Sequence, residues 1–208
     1  QSAAARGCRT LKIKVGGGAP EADVERIRAV REVTASTALL LDANAGFTAD
    51  QALALLAGLR ALGIKPALFE QPVARADIDG MIRVRREGKV AVVADESACS
   101  AADVRMLIKA HAAQVINIKL MKSGLVEAMD MAWLAREAGL KLMIGGLVES
   151  RLAMSMSASF AAGAGGFTYV DLDTPLLLAG EPFAGGILYE GEVIKVAHLK
   201  EGHGVTPA

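Results

Sequence analysis

Six charged side chains stand at or near the ends of short apolar runs in this chain. They lie in the segments LKIKVG, LLLDAN, ALFEQP, AVVADES and INIKLM and are Lys12, Lys14, Asp42, Glu70, Asp95 and Lys119. A charge that faces an apolar interior is costly unless it is paired or binds a metal. Three acids and three lysines that face one another would meet this requirement. The set therefore predicts a metal-assisted active site.

The three acids define the kind of metal. Asp42, Glu70 and Asp95 offer only oxygen ligands, and their segments contain neither histidine nor cysteine. Such a set favours Mg²⁺, with Mn²⁺ as an alternative, over zinc. A bound cation would leave positions for water and a substrate carboxylate, and it would stabilise the charge that develops when a proton leaves the neighbouring carbon. We therefore expect α-proton abstraction through a metal-stabilised enediolate.

The lysines would carry the protons. Alternation along a strand places Lys12 and Lys14 on one side, and it likewise pairs Asn117 with Lys119. Neighbouring ammonium groups and a divalent cation repel one another, so at least one lysine is expected to have a lowered pKa and to act as a neutral base. Lys14 and Lys119 belong to strands four units apart. They should reach one carbon from opposite faces and invert it.

Strand-like and helix-like patterns alternate around these charges. Strands are predicted at 10–15, 38–41, 67–69, 90–93 and in VINIKL, LKLMIG and FTYVDL, with helices between them, such as 20–33, 49–63, 77–86 and the segments that begin at Ser100, Glu127 and Arg151. The charges thus recur once per strand-plus-helix unit, which is typical of a parallel α/β protein. Right-handed βαβ units close into a barrel at about eight strands, with the active site at the carboxyl ends of the strands.

Composition narrows the range of partners. The 208 residues are 52% hydrophobic and 22% charged, which is enough apolar material for one domain over 1–208. The net charge is +0 and no basic stripe carries aromatic residues, so we expect neither nucleic acid nor membrane as a partner. We expect neither a signal peptide nor a membrane span, because the first residues do not read as a basic and then apolar stretch and no apolar run reaches roughly 18 to 20 residues. The two cysteines show no disulfide pattern, which favours the cytoplasm.

The motifs KIK, LLLDAN, FEQP, ADES and INIK together resemble the enolase superfamily, in its muconate lactonizing enzyme branch, and most nearly the L-Ala-D/L-Glu type of dipeptide epimerase. The resemblance implies a (β/α)-barrel of the modified TIM type. Seven of its strands would lie in this chain, and the first strand and an N-terminal capping domain would lie outside it. Residues 176–208 or thereabouts would return toward that cap. Activity is expected to require the N-terminal part.

The resemblance also implies roles for individual residues. Lys14 and Lys119 would be the acid/base pair, Lys12 would assist electrostatically near the substrate carboxylate, and Mg²⁺ would bind Asp42, Glu70 and Asp95. Branch members that act on dipeptides carry a DxD element that holds the substrate's ammonium group. It reads here Asp171-Leu172-Asp173, with a simple turn before Pro175 as the alternative. We expect a small dipeptide or carboxylate substrate and a homo-oligomer.

Four further polar residues are candidates for the surroundings of the site. Asn44 could accept from a metal-bound water or form an Asx turn. Glu96 could orient Lys12 or such a water, or it could be a solvated acid at a helix start. Glu149 lies near the barrel mouth by position, with structural packing as the alternative. Asn117 shares a strand face with Lys119.

Three functional hypotheses remain open on these grounds. The first is a Mg²⁺-dependent isomerase that epimerises dipeptides. The second is a muconate cycloisomerase or o-succinylbenzoate synthase-like lyase of the same branch, whose substrates lack the ammonium group that Asp171 and Asp173 would hold. The third is an inactive barrel fragment or scaffold. The DxD element favours the first hypothesis.

Overall fold

Strands and helices alternate through the computed structural model, which describes residues 8–34 and 36–208. The strands of its first seven repeats are β1 Thr10–Lys14, β2 Ala38–Asp42, β3 Leu68–Glu70, β4 Ala91–Ala94, β5 Val115–Ile118, β6 Lys141–Gly145 and β7 Phe167–Asp171. The helices between them are α1 Pro20–Val33, α2 Ala49–Ala61, α3 Ile78–Gly88, α4 Ala101–Ala110, α5 Leu120–Glu137 and α6 Arg151–Ala164. The seven predicted strands are therefore confirmed, with small shifts of their ends.

The chain divides into two compact units. The first extends to Ala98 and includes Arg105–Val115, and the second consists of Cys99–Val104 and Ile116–Ala208. The expectation of a single barrel domain over 1–208 stays a prediction. No helix among the described residues is long and apolar enough to cross a membrane.

In the first unit, β1 to β4 pair in chain order and all three pairings are parallel. The register sets Lys14 opposite Asp42 and Asp42 opposite Glu70. The carboxyl ends of β1, β2 and β3 therefore align, and the charged residues that end these strands lie side by side. Below them, Leu41 of β2 and Phe69 of β3 are fully buried.

Local signals explain where the helices of this unit begin. Pro20 occupies the first turn of α1, where its missing N–H is not needed. Thr48 caps α2 and forms a capping box with Gln51. The Asp77 carboxylate accepts from the backbone N–H of Gly80 and starts α3.

In the second unit, β6 and β7 pair in parallel and set Gly145 opposite Asp171. Helix α5 begins at Leu120 rather than at the predicted Glu127, because a short helical turn precedes the main helix. The two are separated by a break at Gly124, whose φ is 73°. The helical pattern in the sequence does not continue through that glycine. The prediction was wrong only in this start.

The residues after β7 form short elements that the sequence analysis did not predict. A 3₁₀ helix, Thr174–Leu177, is followed by β8 Phe183–Gly185, β9 Leu188–Glu190, β10 Val193–Lys195 and β11 Val205–Pro207. Strand β9 pairs with β10 and β8 with β11, both antiparallel. The expectation that this segment returns toward a capping domain stays a prediction.

Candidate active site

A cluster of ion pairs lies at the aligned ends of β1, β2 and β3. The Lys12 Nζ is 2.9 Å from both Asp42 Oδ2 and Glu70 Oε2. The Lys14 Nζ is 2.6 Å from the same oxygen of Asp42. Lys12 and Lys14 therefore lie on one side of β1, as the alternation predicted. Lys12 thus bridges the Asp42 and Glu70 carboxylates, and Asp42 contacts both lysines.

The electrostatics of the cluster reflect its burial. Burial raises the pKa of Asp42, but the charges and hydrogen bonds of Lys12 and Lys14 outweigh it, so the pKa lies below its ordinary value. Burial also raises the pKa of Glu70, and the carboxylates of Asp42 and Asp95 raise it further. Although the Lys12 ammonium lowers it, the pKa of Glu70 reaches about 7. The two other predicted metal ligands thus both act on Glu70.

The donor chemistry of this cluster fits a divalent cation. Asp42, Glu70 and Asp95 expose 0%, 2% and 2% of their surface, and burial of three acids so close together calls for compensating positive charge. Over 8–34 and 36–208, no three acidic, histidine or cysteine side chains are already arranged as a metal site. The Lys12 ammonium stands between two of the carboxylates. A cation shared by the acids would relieve the repulsion that raises the Glu70 pKa.

Asn44 links this cluster to Glu96. Its side-chain oxygen accepts a 2.7 Å hydrogen bond from Lys14 Nζ, and its amide nitrogen donates to Glu96 Oε1 at 3.2 Å. Its backbone N–H donates to Asp42 Oδ1 at 3.0 Å. The turn expected at Asn44 is therefore made by the Asp42 carboxylate, and the Asn44 side chain holds the lysine.

The loops that follow the strands of the first unit are joined by backbone hydrogen bonds, which we call the loop ladder. Its members continue the parallel pairing past the strand ends and are Val15 N–H to Asp42 O, Ala43 N–H to Glu70 O, Ala45 N–H to Gln71 O, Phe47 N–H to Pro72 O and Gln71 N–H to Val93 O. These bonds are 2.8 to 3.2 Å long. The side chains of the cluster thus project from a hydrogen-bonded frame.

Gly46 is required by the close packing of this frame. A Cβ at Gly46 would lie 2.6 Å from the carbonyl oxygen of Gly16 and 2.9 Å from that of Ala43. Both are backbone atoms and cannot turn away. We expect Gly46→Ala to lower the free energy of unfolding by about 1–3 kcal/mol, measured by denaturant titration. Gly17→Ala, in open space on the neighbouring loop, is the control; equal stability of the two variants would contradict the prediction.

The second unit carries the other predicted residues. Lys119 directly follows β5, is only 4% exposed and is the N-cap residue of α5. Asn117 is fully buried, and its side chain packs against Gly145, where a Cβ would lie 2.7 Å from Asn117 Oδ1. The carbonyl of Asn117 accepts from Lys122 Nζ at 3.1 Å. Gly145 therefore leaves the room that the Asn117 amide needs.

The DxD element ends β7 and enters the 3₁₀ helix. Asp171 is the last residue of β7, and the carbonyl of Asp173 accepts from the N–H of Leu176. Between the two acids, the carbonyl of Leu172 accepts a 2.7 Å hydrogen bond from the Tyr189 hydroxyl. Burial raises the Tyr189 pKa to about 12; Arg151 lowers it, and the charges of Asp173 and Glu181 raise it further. This hydroxyl therefore remains a donor.

Glu149 stabilises the neighbouring loop. It is 7% exposed, and its Oε1 accepts from the N–H of Leu147 at 2.7 Å. Its carbonyl accepts from Thr174 Oγ1 at 3.2 Å. These contacts support the structural alternative for Glu149 while they connect its loop to the segment after the DxD element.

Sequence reasoning missed three residues that support the cluster and the DxD element. Arg26 donates to the carbonyl of Lys14, Gln71 contacts the loop after β4, and Tyr189 holds Leu172. The signal for Gln71 was its place in FEQP, directly after a predicted ligand. Arg26 and Tyr189 had no comparable signal, because their partners are backbone carbonyls distant in sequence.

Comparison with known proteins gives consistent matches over the whole chain. The family described as Enolase C-terminal domain-like matches residues 1–208. The chain is 47% identical over 204 residues to an aromatic dipeptide epimerase of Herpetosiphon aurantiacus, covering 98% of this chain and 57% of the relative. It is 41% identical over 190 residues to an L-Ala-D/L-Glu epimerase of Thermotoga maritima, covering 91% and 55%. The chain thus spans little more than half the length of these relatives.

A solved structure adds a liganded relative. The dipeptide epimerase from Enterococcus faecalis V583, complexed with Mg and the dipeptide L-Leu-L-Tyr, is similar with a TM-score of 0.91 and 35% identity. The match covers 99% of this chain and 58% of that one.

Proposed function

Because this chain belongs to the enolase C-terminal domain-like family, in which its seven strands are those of the predicted (β/α)-barrel, we propose that the protein is a Mg²⁺-dependent dipeptide epimerase. The observation that carries the proposal is the cluster in which the buried carboxylate of Asp42 contacts Lys12 and Lys14 and lies beside Glu70. The names of the relatives, which are epimerases of dipeptides, support it.

The charged residues of the cluster and the side chains that hold them each have a role in this proposal. Asp42, Glu70 and Asp95 would hold Mg²⁺, which supplies stabilisation of negative charge on the substrate carboxylate. The Lys12 ammonium, 2.9 Å from Asp42 and Glu70, adds positive charge at the same place. Lys14, held by Asn44, takes the α-proton on its Nζ. Arg26 restrains the backbone of Lys14 through its carbonyl.

Lys119 would complete the reaction. When Lys14 takes the proton from one face of the carbon, the Lys119 ammonium donates a proton to the other face, and the configuration is inverted. The two lysines then hold exchanged protonation states, and the reverse substrate uses them in the opposite order. The support for this assignment is the strand count, since β1 and β5 are four strands apart, and the near-complete burial of Lys119.

The DxD element favours an epimerase of dipeptides over a lyase of the same branch. Asp171 and Asp173 would attract the substrate's α-ammonium group, whereas the same two acids would repel a substrate with anionic groups alone. We assign them to the ammonium subsite.

The test of the proposed function is proton exchange in D₂O. The full-length protein with Mg²⁺ is incubated with L-Ala-L-Glu and with dipeptides that carry an aromatic or aliphatic second residue. We expect ¹H NMR to show loss of the α-proton signal of the second residue, together with appearance of the epimer, for at least one of them. Absence of exchange across the whole panel would refute the epimerase.

Removal of one acid of the DxD element should weaken substrate binding. We expect Asp173→Asn to raise KM for a dipeptide at least about tenfold and to change kcat much less, because the interaction is present before and during proton transfer. An N-acetylated dipeptide, which has no ammonium group, should not distinguish the variant from the wild type. Asp130→Asn, an exposed acid of α5, is the control. An unchanged KM for Asp173→Asn would contradict the assignment.

A further inference from the structure

Gln71 has an unusual position directly after Glu70. It is fully buried, and its φ of 31° lies in the left-handed region that residues other than glycine rarely adopt. The backbone therefore turns at once after the residue that ends β3. A polar side chain placed there requires hydrogen-bond partners, and a turned backbone requires contacts that hold it.

The side-chain amide of Gln71 uses its full hydrogen-bonding capacity. Its Oε1 accepts from the backbone N–H groups of Asp95 and Ser97, both at 3.1 Å. Its Nε2 donates to the carbonyl of Val73 at 3.0 Å and to Ser97 Oγ at 2.8 Å. Two acceptor positions and two donor hydrogens are all that an amide offers. Ser97 Oγ in turn donates to the carbonyl of Arg75 at 2.9 Å.

The backbone of Gln71 belongs to the loop ladder on both sides. Its N–H donates to the carbonyl of Val93 at 2.9 Å, and its carbonyl accepts from Ala45 N–H at 2.9 Å. One residue thereby contacts the loops that follow β2, β3 and β4. These are the loops that carry or adjoin Asp42, Glu70 and Asp95.

We propose that Gln71 is a positioning residue that sets the separation of the Glu70 and Asp95 carboxylates for a divalent cation. The inference rests on the proposed function. Glu70 is the residue before Gln71, and the Asp95 N–H is held by the Gln71 side chain, so the amide spans the distance between the two ligands. Magnesium demands near-ideal octahedral geometry at about 2.0–2.1 Å, which small shifts of a ligand's backbone disturb.

Other side chains cannot replace this amide. Leucine has a similar volume but neither donors nor acceptors, so the N–H groups of Asp95 and Ser97 would lose their partner. Glutamate keeps the acceptors but presents an oxygen to the carbonyl of Val73 and adds a charge beside Glu70 and Asp95. Asparagine is shorter by one methylene and cannot reach both sides.

Cation binding to the full-length protein tests the inference directly. Mn²⁺ is titrated into wild type, Gln71→Leu, Ser97→Ala and Gln114→Leu, and free Mn²⁺ is measured by electron paramagnetic resonance. Gln114→Leu is the matched control, since Gln114 Oε1 accepts from Val92 N–H at 2.8 Å near the opposite end of β4. The melting temperature of each variant is recorded without cation. This separates lost stability from lost ligand geometry.

We expect Gln71→Leu to weaken Mn²⁺ binding at least about tenfold, as loss of an outer partner of a metal site does. The affinity of Gln114→Leu for Mn²⁺ should stay within about twofold of wild type, even if its melting temperature falls as much as that of Gln71→Leu. Ser97→Ala, which keeps the Oε1 contact to Asp95, should lose about threefold, and it decides the matter if Gln71→Leu does not fold. Wild-type affinity for Mn²⁺ in Gln71→Leu, or in Ser97→Ala when only that variant folds, would overturn this inference but not the proposed function. A wild type that binds no Mn²⁺ would overturn the proposed function and this inference together.

Discussion

Lys14→Ala and Lys119→Ala are each expected to reduce epimerisation of a dipeptide by at least about 10³-fold. General acid–base catalysis by one positioned group contributes roughly 10² to 10⁴-fold, and inversion needs both groups in each turnover. Each variant should keep one face of the reaction. Lys119→Ala should still exchange the α-proton of the substrate epimer that faces Lys14, and Lys14→Ala that of the other epimer. Exchange in D₂O and polarimetry measure the two steps separately.

A matched control for the lysine variants lies in the first unit. Lys109 is an exposed lysine of α4, and Lys109→Ala should leave exchange and inversion unchanged. If Lys14→Ala and Lys119→Ala both invert the dipeptide at the wild-type rate, the two-base scheme is wrong. If both variants exchange the same epimer, the assignment of the lysines to opposite faces is wrong.

Glu70→Gln is expected to lower the epimerase activity strongly, and the activity that remains should not respond to Mg²⁺. Loss of one carboxylate from three leaves a weaker cation site, and kcat/KM should fall by about 10² to 10³-fold, in the range seen when one electrostatic contact to a developing charge is lost. Mn²⁺ binding should weaken in parallel. Glutamine keeps the shape of the side chain, so the variant should fold.

The stability of the Glu70→Gln protein provides an independent check. Burial and the carboxylates of Asp42 and Asp95 raise the pKa of Glu70 to about 7. A neutral amide at this position therefore removes a buried negative charge and its repulsion from the two carboxylates in the cation-free protein. We expect its melting temperature not to fall markedly, whereas its activity does. Glu21→Gln, at the exposed start of α1, is the control for loss of one negative charge. Turnover by Glu70→Gln that still responds to Mg²⁺ would exclude Glu70 as a ligand.

The strand pattern was the most predictable feature of the fold. Each strand is a short, mostly apolar run that ends in a charge or a glycine or is directly followed by a charge, and the parallel register then brings the ends of β1, β2 and β3 side by side. The start of α5 was not predictable from periodicity, because Gly124 interrupts the helical pattern. The short strand pairs after β7 were missed because strands of three residues show almost no alternation.

The site was predictable where charge alone sets the position. Lys12, Lys14 and Asp42 form the predicted kind of cluster because the buried carboxylate of Asp42 requires positively charged partners. Gln71 was not predictable in the same way. Its partners are the backbone N–H groups of Asp95 and Ser97 in another loop, and backbone donors leave no trace in the choice of residue type.

The loop ladder has a consequence for how such an enzyme can diversify. Because the residues after β1, β2 and β3 bond through their backbones to the end of the next strand or to its loop, a change of length or conformation in one loop removes the partner of the next. The relatives named above nevertheless differ in the dipeptides for which they are named. We expect grafts between related enzymes to tolerate exchange of these loops only as a set. Natural selection for a new substrate would then act on segments outside the loop ladder, which can vary singly.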